Sequence, residues 1–248
     1  MKAILTYHSI DDSGSPISVP APVFRRHVEW LAARGPRVVT VDELLGQRGT
    51  EPAVAITFDD AFESFADIAW PLLREYGLPV TLFVPTAHVG GTNEWGGIGQ
   101  RGIPVLRVLG WDRIARLATE GVIIGSHTRS HPRLDRLPAA AIHDELEGSA
   151  VGIEARIGAR PAGLAYPYGA HDARVTDAAA RTYAWACTTE LRPLRPADEP
   201  HRLPRLDAYY FRSAGTLEAW GRTRLKLYVR ARASVRRCRE LFAAASGR

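Results

Sequence analysis

Short apolar runs alternate with longer segments of helical period over most of this chain. Ala3 to Tyr7 is the first run and stops at His8. Asp11 to Pro22, polar with proline and glycine, reads as a loop, and Phe24, His27, Val28 and Leu31 then recur at helical spacing within Val23 to Arg34. Arg37 to Val41 predicts a short strand, after which Asp42 can cap a brief helix through Leu45. Ala53 to Asp60 has the pattern of a strand covered on both faces. A helix from Phe62 to Tyr76 and a strand from Val80 to Val84 follow. Between Pro85 and Gly110 no period holds, and a loop of that length in a compact domain is usually functional or mobile. Helical patterns at Trp111–Glu120, Ala139–Ile157 and Arg174–Arg181 then separate strands at Val122–Gly125, Gly163–Tyr166 and Ala184–Thr188. Regular alternation implies parallel strands joined by crossovers. Seven or so strands favour a barrel or near-barrel, and a doubly wound open sheet fits the pattern too.

The ends of these strands carry the polar residues. His8, the pair Asp59 and Asp60, His127 and the Pro167-Tyr168-Gly169 turn each follow a predicted strand directly. A parallel sheet gathers such positions at one rim, where α/β folds place their chemistry. Two adjacent carboxylates repel each other, so holding both ionised needs a compensating cation, for which a metal is the simplest choice.

With 248 residues, 46% of them hydrophobic, one large α/β domain suits the chain better than two small ones. The net charge of +5 is local. Residues 222–248 hold nine Lys or Arg against Glu240 alone, a net of +8, so the preceding body is mildly acidic at −3. Charge confined to the tail, with no reader motif, argues against nucleic-acid binding. Cys187 and Cys238 are too few for a disulfide scaffold, and Cys187 sits in an apolar strand as a core thiol. Neither a signal-peptide pattern nor a membrane-spanning run is visible, so a cytoplasmic protein is the expectation.

His127 and His131 lie four apart just past a strand, and one helical turn would put both on one face. Two imidazoles and a carboxylate from another strand make a three-ligand metal site with open positions. Each element also has a plainer reading. The histidines can be caps or surface residues, and Asp60-Ala-Phe-Glu63 fits a capping box for the next helix.

Thr57-Phe58-Asp59-Asp60, Ser126-His127-Thr128-Arg129-Ser130-His131 and Tyr166-Pro167-Tyr168-Gly169 resemble, in order and spacing, the motifs of the polysaccharide deacetylase family, also called the NodB-homology or carbohydrate esterase 4 fold. The likeness covers roughly Ala3 to Asp207. It implies a distorted (β/α)7-type barrel, a single domain over residues 1–212, and a metal-dependent hydrolase that removes N-acetyl groups from an amino sugar or N-acetylated glycan. By the same resemblance Asp60, His127 and His131 are the ligands of a divalent metal, commonly zinc, and Asp59 is the catalytic base. The backbone N–H of Tyr168 corresponds to the oxyanion donor, and metal-activated water would be the nucleophile.

Two positions depart from the family pattern. Ala165 stands where many members carry an arginine that orients the catalytic aspartate. The late Leu-x-His motif that supplies the general acid has no match in Leu203-Pro204-Arg205-Leu206-Asp207. The subgroup with Tyr-His after its first strand and Ala-Tyr-Pro-Tyr-Gly as third motif, seen among exopolysaccharide deacetylases, is the nearest in pattern. His8 and His171 are candidates for the acid, with His8 preferred for its strand-end position. Trp95 and Tyr166, with His171, are candidate substrate contacts, against plain packing for the aromatics. A deacetylase-like binding protein that has lost activity, and a non-haem iron oxygenase using the same two-His-one-carboxylate set, are the competing readings.

Beyond residue 212 the chain predicts a basic amphipathic helix. Leu225, Tyr228, Ala231, Val235, Cys238 and Phe242 recur every three or four residues with arginine on the other face. The helix can dock on the domain with its arginines snorkelling, or touch an anionic membrane surface.

Overall fold

The apolar runs become the strands of a parallel sheet. The structure, a computed structural model, describes residues 1–245 other than 48, 98, 100 and 101, and side chains through residue 238. In chain order the strands are β1 (Lys2–Tyr7), β2 (Ser9–Ile10), β3 (Ser18–Val19), β4 (Arg37–Val38), β5 (Ala53–Phe58), β6 (Val80–Val84), β7 (Ile123–Ser126), β8 (Gly163–Ala165), β9 (Trp185–Cys187) and β10 (Leu206–Asp207). The helices are α1 (Ala21–Arg34), α2 (Val41–Gly46), α3 (Trp70–Glu75), α4 (Trp111–Thr119), α5 (Ala139–Ile157), α6 (Ala173–Thr182) and α7 (Thr223–Ala245).

The larger sheet runs β10-β1-β5-β6-β7-β8-β9, with β4 pairing on β5, and every pairing in it is parallel. It curls into an open barrel. Leu203 bridges Cys187 of β9, and Leu206 pairs with Leu5 of β1, so the 203–207 segment lies between the two sheet edges. β5 and β6 are buried along their whole length, as strands covered on both faces must be. α1 buries Phe24, His27, Val28 and Leu31, the four positions picked out by spacing.

Three elements differ from the sequence pattern. Thr40, not Asp42, caps α2, in a reciprocal capping box with Glu43; the Asp42 carboxylate instead accepts from the Trp185 indole N–H at 2.9 Å. The helix expected over 62–76 winds wide, with i→i+5 bonds, across Phe65–Ala69 before α3 begins. Pro71 offers no N–H to a regular ladder there. In α7 the residues that dock are Leu225 and Val229, both buried, with Tyr228 half-buried, whereas Ala231, Val235 and Cys238 are exposed. Phe242 lies outside the described side chains. None of the described helices is long and apolar enough to cross a membrane.

Candidate active site

The C-terminal ends of β1, β5, β7 and β8 open on a cleft of about 570 Å³ lined by His8, Asp59, Asp60, Trp95, His127, His131, Tyr166 and Tyr168, among others. The backbone there leaves the ordinary regions. Asp60 (φ 68°), Ala61 (φ 52°), Thr128 (φ 65°), His131 (φ 59°) and Tyr168 (φ 60°) are all left-handed. Each such residue costs on the order of 1–3 kcal/mol and persists only where its surroundings fix it.

The fixings are visible. Asp59 N–H donates to the Tyr7 carbonyl at 2.9 Å, which extends the β1–β5 ladder one residue beyond the strand. At Asp60 the chain turns left-handed and Asp60 does not cap the next helix, so the capping-box alternative is set aside. The His127–His131 stretch is not a helical turn. It is a loop clamped from α5, where Glu145 accepts from the N–H groups of Arg129 and Ser130 at 2.9 and 2.8 Å, and Thr128 Oγ1 accepts from His131 N–H at 3.1 Å. The two imidazoles still meet, with ring centroids 4.8 Å apart. After β8, Gly169 (φ 67°) packs so closely on Thr189 that a Cβ would lie 2.1 Å from its hydroxyl, so only glycine fits the turn that presents Tyr168.

One ligand atom each from Asp60, His127 and His131 falls within a 4.8 Å cluster. The Nε2 atoms of His127 and His131 stand 3.4 and 3.3 Å from Asp60 Oδ1. His127 Nδ1 lies 2.7 Å from the Ala165 carbonyl, which can only accept, so Nδ1 carries the hydrogen and Nε2 of the neutral ring presents a lone pair to Asp60. Asp60 Oδ1 is buried and has no hydrogen-bond partner among the described residues. A proton would relieve one of the two N···O contacts, whereas a cation relieves both. Ligand atoms 2.0–2.2 Å from one cation stand roughly 3.0–3.5 Å apart, so this donor set fits a divalent metal. Burial raises the Asp60 carboxyl, but its two histidine neighbours outweigh that and hold it far below the usual carboxylate range. Burial opposes charge on both rings; the Asp60 carboxylate outweighs it at His127, which is raised, and does not at His131, which is lowered.

Asp59 has other partners. Arg205 grips it with both arms, Nη1 to Oδ1 at 2.6 Å and Nη2 to Oδ2 at 2.7 Å. The same guanidinium donates to Thr6 Oγ1 and to the Thr188 carbonyl, so β1, the end of β9 and the end of β5 are tied through one buried side chain. Burial pushes the Asp59 carboxyl up, the Arg205 charge more than offsets it, and the group lies below its ordinary value. His8 Nε2 is 3.7 Å from Asp59 Oδ2, with the imidazole one-fifth exposed (21%) toward the cleft.

A model of the polysaccharide deacetylase family matches residues 46–184, more than half of the chain. The chain belongs to that family. Among curated relatives, the Bacillus subtilis (strain 168) protein named "Putative polysaccharide deacetylase YxkH" is 29% identical over 75% of this chain and 64% of its own. The poly-beta-1,6-N-acetyl-D-glucosamine N-deacetylase of Staphylococcus epidermidis is 35% identical over 31% of this chain and 28% of its own. The chain thus spans less than two thirds of the length of either relative. Two solved structures share the fold: Streptococcus pyogenes deacetylase PplD in complex with acetate (TM-score 0.70, 21% identity, 83% of this chain and 91% of that one) and IcaB from Ammonifex degensii (TM-score 0.71, 20% identity, 84% and 93%).

Within this polysaccharide deacetylase fold the remaining sequence candidates are placed as follows. Trp95 stacks on His131 at 4.4 Å and lines the cleft. The Tyr168 ring meets His131 edge-on at 4.8 Å. Tyr166 is buried, its hydroxyl donating to the His201 carbonyl. His171 is not brought to the cleft that holds Asp60; it stacks on Tyr166 and bonds the Gly169 carbonyl, lining a second depression. Arg205 is the residue that sequence reasoning missed. Ala165 stands where the resemblance leads one to expect an arginine, and the segment just before β10 supplies Arg205 to Asp59 instead.

Proposed function

We propose that the chain hydrolyses the N-acetyl amide of an amino sugar within a glycan, with Asp59 as base and His8 as acid. The observation that carries this reading is the division of labour between adjacent carboxylates. Asp60 Oδ1 faces two imidazoles and has no hydrogen-bond partner among the described residues, while both oxygens of Asp59 are held by Arg205. Asp60, His127 and His131 would hold a divalent cation, which when bound would polarise a carbonyl and lower the pKa of water from about 15.7 to about 7.

The chain's own groups do the rest. Arg205 keeps Asp59 ionised and fixed, so the carboxylate can take a proton from the attacking water while lone pairs on its oxygens stay available. The Tyr168 N–H, in its left-handed turn, is the candidate donor to the oxyanion, a contact whose loss typically costs ~10² to 10³ in rate. His8, beside Asp59 and open to the cleft, can deliver a proton to the departing amine. Arg205 also supports activity over an inert binding role, because it takes the place that Ala165 leaves open. A tethered, non-ligating carboxylate beside the cluster favours hydrolysis over oxygen chemistry.

Acetate release from N-acetylglucosamine oligomers by zinc-loaded protein, against Asp59→Asn with the same metal content, tests the reading. Equal release by the two would exclude Asp59 as the base. Exposed Leu227 and Val235 beside the α7 arginines support a peripheral contact with anionic membrane, which co-sedimentation with anionic vesicles tests.

A further inference from the structure

We infer that the substrate carries an oxyanion, a phosphate or a carboxylate, close to the sugar that is deacetylated, and that Arg212 and Arg232 recognise it. The inference rests on the reading just given and adds the chemical class of the glycan.

The cleft around Asp60, His127 and His131 has a further wall formed by Tyr209, Tyr210 and Arg212 after β10 and by Tyr228, Arg232 and Arg236 of α7. The Tyr228 hydroxyl donates to the Tyr210 carbonyl at 2.7 Å, which joins α7 to that turn. Buried Leu225 and Val229 hold the helix from beneath. The wall is therefore a built surface rather than a free tail.

On that wall the Arg212 guanidinium lies 3.9 Å from the Tyr209 ring centroid and that of Arg232 lies 5.2 Å from the Tyr228 centroid. Neither has a carboxylate or hydrogen-bond partner for its guanidinium among the described residues. Several arginines elsewhere are paired with acids, Arg205 with Asp59, Arg192 with Asp198, Arg160 with Glu147 and Arg113 with Asp67. Stacking on an aromatic face orients a guanidinium and leaves its N–H edge for a carboxylate or phosphate oxyanion. It also occupies one face of each ring.

The acids facing the cleft do not cancel this charge. Asp59 is neutralised by Arg205 and Asp60 belongs to the metal cluster. Asp207, half-buried, has its carboxyl pushed up by burial against the opposing charges of His8, Arg236 and Arg205. Arg212 and Arg232 remain as surplus positive charge on the cleft wall. Solvated arginines spread along the outside of α7, such as Arg224 and Arg230, need no ligand. These two differ because they line the cavity that holds the metal cluster.

The test uses three N-acetylglucosamine oligomers of equal length: neutral, phosphorylated at the reducing end, and bearing a glucuronate next to the acetylated sugar. Zinc-loaded protein is expected to favour at least one charged oligomer by about tenfold in kcat/KM, mostly through KM, since a hydrogen bond to a charged group is worth at least that factor. The advantage should shrink as salt rises from 50 to 500 mM, and it should fall to near unity in Arg212→Gln/Arg232→Gln. Which charged oligomer is favoured tells phosphate from carboxylate.

The same three oligomers titrated into metal-loaded Asp59→Asn read binding without turnover. No acetate release from any of them by the zinc-loaded parent protein, with a tenfold binding preference retained in the variant, would sink the deacetylase reading and leave this inference standing. Equal affinity for neutral and charged oligomers, or an undiminished preference in the double variant, overturns it. So does recruitment to anionic vesicles, lost in the double variant, without preference among the soluble oligomers, which would assign the arginines to a membrane.

Discussion

Asp59 and Asp60 are chemically identical neighbours, and what separates their roles is their partners. Replacing Asp59 by Asn should abolish acetate release while leaving the metal content near one equivalent; His127→Ala should lose both, as elemental analysis of the purified variants will read. Arg205 acts through Asp59, which makes it a positioning residue. Arg205→Ala leaves a buried carboxylate unpaired, and breaking such a pair costs roughly 3–5 kcal/mol. The sign with pH follows from the depressed Asp59 value. A carboxyl held below its ordinary range contributes stability that is full above that range and lost as pH falls through its native value. The penalty of Arg205→Ala in denaturant melts should therefore be largest at neutral pH and shrink in acid, and the acid limb of kcat/KM should move to higher pH. Arg205→Lys, which keeps charge but not the two-armed grip, should lie between. The convergence of Asp60, His127 and His131 was legible in the sequence because each stretch follows an apolar run directly. Arg205 was not, since it lies 146 residues from Asp59 and has no local signature.

Among the elements, the long buried strands and α1, α5 and α6 could be read directly, because hydrophobic period and caps are local properties. The two-residue strands β2, β3 and β10 could not, because pairing partners far along the chain create them. The short β8 shows how tightly one element supports the site. A Cβ on Gly163 would lie 2.1 Å from the Trp185 indole, which Asp42 holds by its N–H. Overpacking of this kind typically costs about 1–3 kcal/mol. Gly163→Ala should lower the unfolding midpoint by a corresponding amount. Because β8 leads into the Ala165 carbonyl that orients His127, it should also weaken zinc binding, measured by competition with a chromophoric chelator.

For the molecule as a whole, the proposed metal ligands come from two strand ends and the carboxylate proposed as base is tethered from a third part of the chain, so metal binding would be coupled to the folded state. At free metal a hundredfold above its Kd, binding contributes about 2.7 kcal/mol. Chelation should lower the thermal midpoint, added zinc should restore it, and the shift should persist in Asp59→Asn but vanish in His131→Ala. The alternation pattern pointed to a near-barrel; that its two edges meet through 203–207 was not visible, because that segment is short and irregular. Its place gives synthesis an order. Everything that shapes the proposed cation site, from Asp60 through the Ala165 carbonyl, leaves the ribosome before Arg205, so the carboxylate proposed as base is the last part of the site to be tethered, when the 203–207 segment slots home.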